Sequence, residues 1–155
     1  MARMAEVCDQ IPAPPTHLFL QAGVGGLAGA AAAIARVQWG DDLRIIVVEP
    51  EVAPALIASI EAGGPVETTG PVSAMGRLDC KVPSLIALKV LARDANDFVT
   101  VSEEEGQAGA DTVAAHGLHS TPSGAAGLAG LIAARGQVGL GPDARVLAIL
   151  SEGPE

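Results

Sequence analysis

Short apolar runs alternate along the chain with longer segments whose apolar residues recur at helical spacing. Runs such as Leu43–Glu49, rich in isoleucine and valine, are typical of strands buried in a parallel sheet. Alanine-rich segments such as Gly25–Gln38 are typical of helices that pack closely on a sheet. The predicted strands are Thr16–Gln21, Leu43–Glu49, Phe98–Val101 and Arg145–Leu150, with a short extended piece at Val66–Thr68. The predicted helices are Gly25–Gln38, Val52–Ala62, Ser84–Arg93, residues 103–116 and Ser123–Arg135, after a helical end in residues 1–11.

The alternation of strands and helices predicts an α/β fold. We expect a mainly parallel sheet with helices on both faces, in three layers, formed by residues 1–155 as a single domain. Aromatic residues make up 2% of the chain, so the core must consist of alanine, valine, leucine and isoleucine. The first predicted strand follows only a broken helix, and the chain stops just after the last strand. We therefore expect the chain to be a portion of a longer protein.

A glycine-rich turn joins the first predicted strand to the first long helix. The sequence Gln21-Ala-Gly-Val-Gly-Gly-Leu-Ala-Gly29 follows the apolar run Leu18–Leu20 and precedes an alanine-rich segment. A glycine turn at this place brings bare backbone N–H groups to a helix N-terminus, which is an arrangement that binds phosphate. Glycine allows close approach and positive φ angles. The turn therefore predicts a site for a phosphorylated small molecule.

Charge and cysteine content exclude several classes of function. The formal net charge is −9, which argues against nucleic acid or an anionic membrane as a partner. Cys8 and Cys80 have no spacing typical of zinc ligands, and we expect reduced thiols in a cytoplasmic protein. His17, His116 and His119 have no metal-like pairing, so we expect surface or supporting roles and no metal site. No apolar run is long enough to span a bilayer.

A dinucleotide is one candidate for the phosphorylated ligand. Gly23-x-Gly25-x-x-Ala28 fits the fingerprint of nucleotide-binding α/β domains. Glu49 ends the second predicted strand, where an acidic residue would meet a ribose. A stand-alone NAD(P)-binding Rossmann-like module without catalysis is therefore one alternative. Because Pro50 follows Glu49, the same residues also fit a plain strand end.

The chain also resembles the C-terminal half of the tryptophan-synthase-β-like, fold type II enzymes that depend on pyridoxal phosphate (PLP). Within that family it looks most like the diaminopropionate ammonia-lyases. Four blocks carry the resemblance, in the family's order. They are Thr16–Gly29, Ile46–Pro50, Ser73–Cys80 with Pro83-Ser84, and Ala148–Gly153. They resemble the phosphate loop, the strand after it, the active-site loop, and the last strand with the residue that faces the pyridine nitrogen.

The resemblance implies the residues that hold the cofactor. Backbone N–H groups of the loop would cradle the phosphate of PLP, and the Ser151 hydroxyl would hydrogen-bond the pyridine nitrogen. A neutral hydroxyl leaves that nitrogen unprotonated, which favours α,β-elimination over transamination. Asp79 is a candidate for orienting the cofactor or the substrate, although a solvated loop aspartate fits it equally well. The implied cofactor-binding residues are Gly23, Val24, Gly25, Gly26, Leu27 and Ser151.

Other residues near these blocks have simpler interpretations. We expect Cys80 to be a packed, inert thiol and Ser123 to be a helix N-cap. Glu103, Glu104 and Glu105 are expected to form a solvated helix start, with Ser102 as its N-cap.

One feature departs from the family pattern. Enzymes of this type hold PLP through a lysine in their N-terminal half, and Lys81 and Lys89 do not stand in such a context. The chain therefore resembles part of an elimination enzyme, with no catalytic residue assigned in it, and is expected to be inactive alone.

The expected function follows from this resemblance. The complete enzyme would be an ammonia-lyase converting 2,3-diaminopropionate to pyruvate and ammonia, with a serine/threonine dehydratase-like enzyme as the alternative. A remnant that folds poorly alone is a further possibility. The expected partners are a small amino-acid substrate and either a second copy of the chain or the missing N-terminal half, with no nucleic acid and no membrane.

Overall fold

Four parallel strands form the centre of the structure, a computed structural model that describes residues 2–153 and the side chains of residues 6–153. The strands are β1 (His17–Gln21), β2 (Arg44–Pro50), β3 (Asp97–Val101) and β4 (Val146–Ala148). Their order across the sheet is β3-β2-β1-β4, and each neighbouring pair is parallel. The helices are α1 (Ala2–Gln10), α2 (Gly26–Trp39), α3 (Ala55–Ala62), α4 (Leu85–Asp94), α5 (Glu103–Ala115) and α6 (Pro122–Ala134).

The period-two alternation of side chains along the strands divides the core between the two faces of the sheet. Leu18 and Leu20 of β1 face a core shared with α2, α3 and α4. Phe19 of β1 and Val48 of β2 face the opposite core, which α6 covers. Helix α5 packs on the outside of α6. The predicted three-layer α/β fold with helices on both faces of a parallel sheet is confirmed.

Several helices begin at residues other than the predicted ones, because prolines and capping side chains determine where a helix starts. Helix α3 begins at Ala55 rather than at Val52, after Pro54. Helix α6 begins at Pro122, and Thr121 caps it by accepting a hydrogen bond from the Gly124 amide at 3.0 Å. The prediction that Ser123 is the N-cap is therefore wrong, since Ser123 lies inside the helix.

Two predicted extended segments are shorter or absent. Strand β4 covers only three residues, because it lies at the edge of the sheet and pairs with β1 alone. The segment 66–68 forms no strand, although Thr68 donates a backbone hydrogen bond to the Lys81 carbonyl at 2.8 Å. The helix predicted in residues 1–11 is present as α1, and its first residue, Met1, lies outside the described part of the chain. Within the described residues, the helices are too short or too polar to cross a membrane.

Candidate functional site

A cavity of about 310 Å³ opens where the chain leaves the carboxyl ends of β1 and β4. This is the edge at which open parallel sheets bind their ligands. The loop after β1 and the segment after β4 both reach the cavity, although they are more than a hundred residues apart in the sequence. The residues that line it are Gln21, Ala22, Gly23, Val24, Gly25, Gly26, Leu27, Arg77, Leu78, Cys80, Ser151 and Glu152.

The glycine loop turns sharply at Gly25 and leads directly into α2. Gly25 has a φ of 94°, a left-handed conformation that favours glycine, and it is the N-cap of the helix. A Cβ at Gly25 would also lie 3.0 Å from the Cβ of Ala87 on α4. The N–H groups of the first helical turn have no partner within a helix, so those of α2 are directed to the cavity end of the loop. The loop thus has the geometry of a phosphate cradle.

A second segment, residues 76–80, begins with a turn of 3-10 helix at Gly76–Leu78, forms the opposite wall and approaches Gly23 very closely. A Cβ built on Gly23 would lie 3.0 Å from the carbonyl oxygen of Arg77 and 3.0 Å from the Sγ of Cys80. Any larger residue at position 23 would push this wall away from the loop. Cys80 is thereby packed in the wall, as a free and half-buried thiol.

Helix α5 holds this wall in place through Glu103. Its carboxylate accepts a hydrogen bond from the Ser73 hydroxyl at 2.7 Å and another from the Ala74 amide at 2.6 Å. The next residue, Met75, is fully buried against Gly106 of α5. The prediction of a solvated helix start is therefore wrong for Glu103. It holds for the exposed Glu104 and Glu105, and Ser102 is the N-cap as predicted, with Glu105 completing a capping box.

Gln21, the last residue of β1, fixes the position of Ser151. The Gln21 side chain is buried, and its Nε2 lies 2.9 Å from the Ser151 Oγ, 2.9 Å from the Ile149 carbonyl and 3.0 Å from the Gly124 carbonyl. A hydroxyl that accepts a hydrogen bond from an amide keeps its own proton to donate. Ser151 is exposed to the cavity, so it can donate that proton to a ligand atom there.

Asp79 is directed away from the cavity. Its carboxylate lies 2.6 Å from the Nζ of Lys81, and Lys81 also donates to the carbonyls of Val52 and Pro71. Asp79 does not contribute to the cavity lining, so the structure gives no contact for its predicted role with substrate or cofactor. The other lysine, Lys89, is exposed on α4.

Glu49 does not face the cavity either. It is 1% exposed, and its two carboxylate oxygens accept hydrogen bonds from the backbone amides of Leu56 and Ile57, both at 2.8 Å. Burial raises the pKa of Glu49 to about 7, although those two hydrogen bonds act in the opposite direction. The expectation that Glu49 meets a ribose is wrong, since its carboxylate is used to start α3.

The histidines have separate surroundings. His17 is buried, with Nε2 2.9 Å from the Val138 carbonyl, so of the surface or supporting roles expected for the histidines, the surface role does not apply to it. His116 and His119 are exposed. Among the described residues, no group of three or more His, Cys, Asp and Glu side chains is arranged to hold a metal ion.

Sequence reasoning missed two residues that shape the cavity. Gln21 is a polar residue that ends the apolar run Leu18–Leu20, and a polar residue at the carboxyl end of a strand is a signal for the site. Arg77 lies within the block Ser73–Cys80, in which it is the cation and Asp79 the anion. Arg77 contacts Ser123 and Glu152, which lie far along the chain, and the residues next to it in the sequence do not indicate these contacts.

Comparisons with known proteins agree on one family. The family described as "Pyridoxal-phosphate dependent enzyme" matches residues 2–152. A curated relative, the diaminopropionate ammonia-lyase of Escherichia coli strain K12, is 31% identical over 163 residues. That alignment covers 90% of this chain and 39% of the relative, so the chain spans well under half of the relative's length.

Solved structures give the same fold. The E. coli diaminopropionate ammonia-lyase in complex with an aminoacrylate-PLP azomethine reaction intermediate has a TM-score of 0.85 at 27% identity, over 98% of this chain and 42% of that one. The processed form of threonine deaminase isoform 2 from Solanum lycopersicum has a TM-score of 0.89 at 20% identity, over 98% of this chain and 44% of that one. The second likeness concerns the fold alone.

Proposed function

This chain belongs to the pyridoxal-phosphate dependent enzyme family, and from that premise we propose that it holds PLP between the glycine loop and Ser151 as part of an ammonia-lyase. The observation that carries the proposal is that one cavity joins Gly23–Leu27 to Ser151, two sites far apart in sequence. When bound, PLP withdraws electrons from the α-carbon of an amino acid. The chain's own residues bind and orient it.

The glycine loop fits the phosphate end of the cofactor. The close packing at Gly23 and the positive φ of Gly25 leave a cradle made of backbone, with the start of α2 behind it. N–H groups at a helix N-terminus stabilise a phosphate through hydrogen bonds and the helix dipole. A side chain at position 23 or 25 would disturb that cradle.

Ser151 and Gln21 fit the ring nitrogen. Because Ser151 accepts from Gln21, its hydroxyl is oriented to donate to an unprotonated pyridine nitrogen. A carboxylate at the same place would favour a protonated ring and stronger electron withdrawal. A hydroxyl favours reactions in which loss of a β-substituent relieves the charge on the substrate, as in α,β-elimination.

We propose 2,3-diaminopropionate as the substrate of the complete enzyme, with pyruvate and ammonia as products. The support is the 31% identity to an ammonia-lyase named for that substrate. A serine/threonine dehydratase-like reaction is the second candidate, since it needs the same two anchors for the cofactor. We further propose that residues outside this chain supply the lysine amine and the acid–base groups, because Lys81 is tied to Asp79 and Lys89 lies on the surface.

Titration of the purified chain with PLP tests the proposal. We expect weak but saturable binding by absorbance or calorimetry, with Ser151→Ala weaker by roughly fivefold, the equivalent of one hydrogen bond. Ser151→Thr, which keeps a hydroxyl, is the matched control and should retain most of the affinity. NAD should not compete, since Glu49 is engaged with α3. Equal affinity of the alanine variant, or displacement of PLP by NAD, would contradict the proposal.

A further inference from the structure

Two opposite charges face each other at the cavity. Among the described residues that line it, the charged side chains are Arg77 and Glu152. The Nε of Arg77 lies 3.5 Å from the Oε1 of Glu152. That separation exceeds the usual length of a direct charge-assisted hydrogen bond, which is about 2.8 Å. The two side chains thus form an ion pair beside Ser151.

Glu152 is the fixed member of this pair. The hydroxyl of Thr121, the N-cap of α6, donates to its Oε2. The backbone of Glu152 also packs against the start of α6, since a Cβ built on Gly124 would lie 3.1 Å from the Glu152 nitrogen. The Glu152 side chain is 19% exposed, whereas that of Arg77 is 68% exposed.

The backbone of Arg77 is held against the glycine loop. Its amide donates to the Ser123 hydroxyl at 3.3 Å, and its carbonyl lies 3.0 Å from the Cβ position of Gly23. The side chain therefore starts beside the phosphate cradle and extends towards Glu152. An arginine guanidinium at the end of a side chain with several rotatable bonds can approach more than one anion from the same backbone position.

We propose that Arg77 is a side-chain ligand of the phosphate group held by the glycine loop, and that Glu152 holds the guanidinium until the phosphate arrives. The inference rests on the proposed function for the identity of the phosphate ester. Among the described residues that line the cavity, Arg77 is the cation, and the chain as a whole is at −9, so its guanidinium is the group that can add a charge-assisted hydrogen bond to the backbone cradle. A guanidinium matches phosphate oxygens in a bidentate geometry, and the attraction to two negative charges exceeds that to one.

Three variants and three probes test the proposed movement of the Arg77 guanidinium from Glu152 to the phosphate. The variants are Arg77→Gln, Glu152→Gln and Arg135→Gln, and the probes are PLP, pyridoxal without phosphate, and inorganic phosphate. Arg135 is exposed at the far end of α6, roughly 20 Å along the helix from Thr121, and its variant matches the charge change of Arg77→Gln. Glu152→Gln keeps an oxygen that can accept from Thr121.

The expected pattern separates the two members of the pair. Arg77→Gln should weaken PLP and inorganic phosphate by about tenfold, as for loss of a charged hydrogen bond. Glu152→Gln should strengthen both by roughly threefold, because it removes the competing carboxylate. Neither variant should change the affinity for pyridoxal, and Arg135→Gln should stay within about twofold of the parent chain.

The possible outcomes distinguish this inference from the proposed function. If the parent chain binds PLP and Arg77→Gln binds it equally well, the inference is wrong and the proposed function stands. If Arg77→Gln and Glu152→Gln weaken PLP and pyridoxal alike, the pair is only structural and the inference is again wrong. If the parent chain binds inorganic phosphate in an Arg77-dependent way but not PLP, the inference stands and the proposed cofactor is wrong. Binding of neither phosphate compound overturns both.

Discussion

Glu49 places a carboxyl group at the end of a central strand, where it is almost completely removed from water. Its two hydrogen bonds to Leu56 and Ile57 satisfy amides at the start of α3, which Pro54 cannot cap with a side chain. The same burial raises its pKa to about 7, so the group changes its charge near neutral pH. This residue thereby couples the stability of the fold to pH.

The raised pKa of Glu49 predicts the direction of that coupling. A carboxyl whose pKa is raised from 4.5 in the unfolded chain to about 7 in the folded one stabilises the fold fully below pH 4.5. This contribution is lost as the pH rises through about 7, and it amounts to roughly 3 kcal/mol in the free energy of unfolding. Urea denaturation between pH 4.5 and 8 should show it. Glu49→Gln should remove this dependence of the free energy of unfolding on pH. It should also lower that free energy by the same amount at every pH, since an amide has one oxygen for two N–H donors.

An exposed carboxylate on α3, the helix whose first amides Glu49 binds, provides the control. Glu61→Gln on α3 should keep the pH dependence of the parent chain. Identical slopes for Glu49→Gln and the parent chain would show that Glu49 does not titrate in this range.

At the residue level, the sequence indicated the backbone cradle better than the side chains around it. A glycine turn between a strand and a helix is local, so the turn at Gly23 and Gly25 could be predicted from neighbouring residues, whereas its proposed role in binding phosphate stays a prediction. The partners of Ser151, Glu103 and Arg77 are Gln21, Ser73 and Glu152, each at least thirty residues away in the sequence. Contacts over such distances depend on how elements pack, which periodicity does not give.

Small residues allow helix α6 to pack closely on the sheet. A Cβ built on Gly130 would lie 2.5 Å from the Cγ2 and 2.9 Å from the Cγ1 of Val48, a fully buried residue of β2. The absence of a side chain at this position lets the helix approach the strand. Thr121, the N-cap of α6, and Ser123 within the helix lie near the cavity. The distance between α6 and the sheet therefore affects the site.

We therefore predict that Gly130→Ala destabilises the protein. Alanine improves helix propensity by about 1 kcal/mol, but overpacking against Val48 costs about 1–3 kcal/mol, and the second effect dominates at a separation of 2.5 Å. The free energy of unfolding should fall by about 1–2 kcal/mol in urea denaturation. Gly136→Ala, just after α6 and with no atom within 4 Å, should change it by less than about 0.5 kcal/mol. Equal stability of the two variants would mean that α6 lies farther from the sheet.

Among the elements, periodicity predicted the type and order of the long ones, whereas side chains decided their ends. The run Leu43–Glu49 and the alanine-rich segment after Gly25 had strong periodic signals, and both are present as β2 and α2. The start of α6 was misplaced because Thr121 and Ser123 are both good caps, and only the geometry of the Gly124 amide distinguishes them.

At the scale of the whole molecule, the chain brings together one half of the proposed cofactor site. The proposed phosphate cradle and the proposed partner of the ring nitrogen lie in one cavity, and the chain spans 39% of a curated relative. Lys81 and Lys89 do not line this cavity. The Nζ of Lys81 has three oxygen partners, from Asp79, Val52 and Pro71, which hold it away from the cavity lining.

This arrangement predicts that PLP binds to the chain without a covalent bond to Lys81. After incubation with PLP and reduction with borohydride, mass spectrometry should find no stoichiometric pyridoxyl group at Lys81. Any modification should be at the exposed Lys89, should be substoichiometric, and should disappear in Lys89→Arg. Stoichiometric labelling of Lys81 would contradict the proposal that the lysine amine comes from outside this chain.

The single tryptophan can serve as an intrinsic fluorescent donor for resonance energy transfer along α2. Trp39 ends α2, whose other end begins at the glycine loop, and the 14 residues of the helix separate the two by roughly 20 Å. The chain has no tyrosine, so its intrinsic emission comes from this one indole, which packs against the core. A pyridoxal ring absorbs in the range where indole emits. We therefore expect resonance energy transfer from Trp39 to report binding of PLP at the proposed site in the glycine loop.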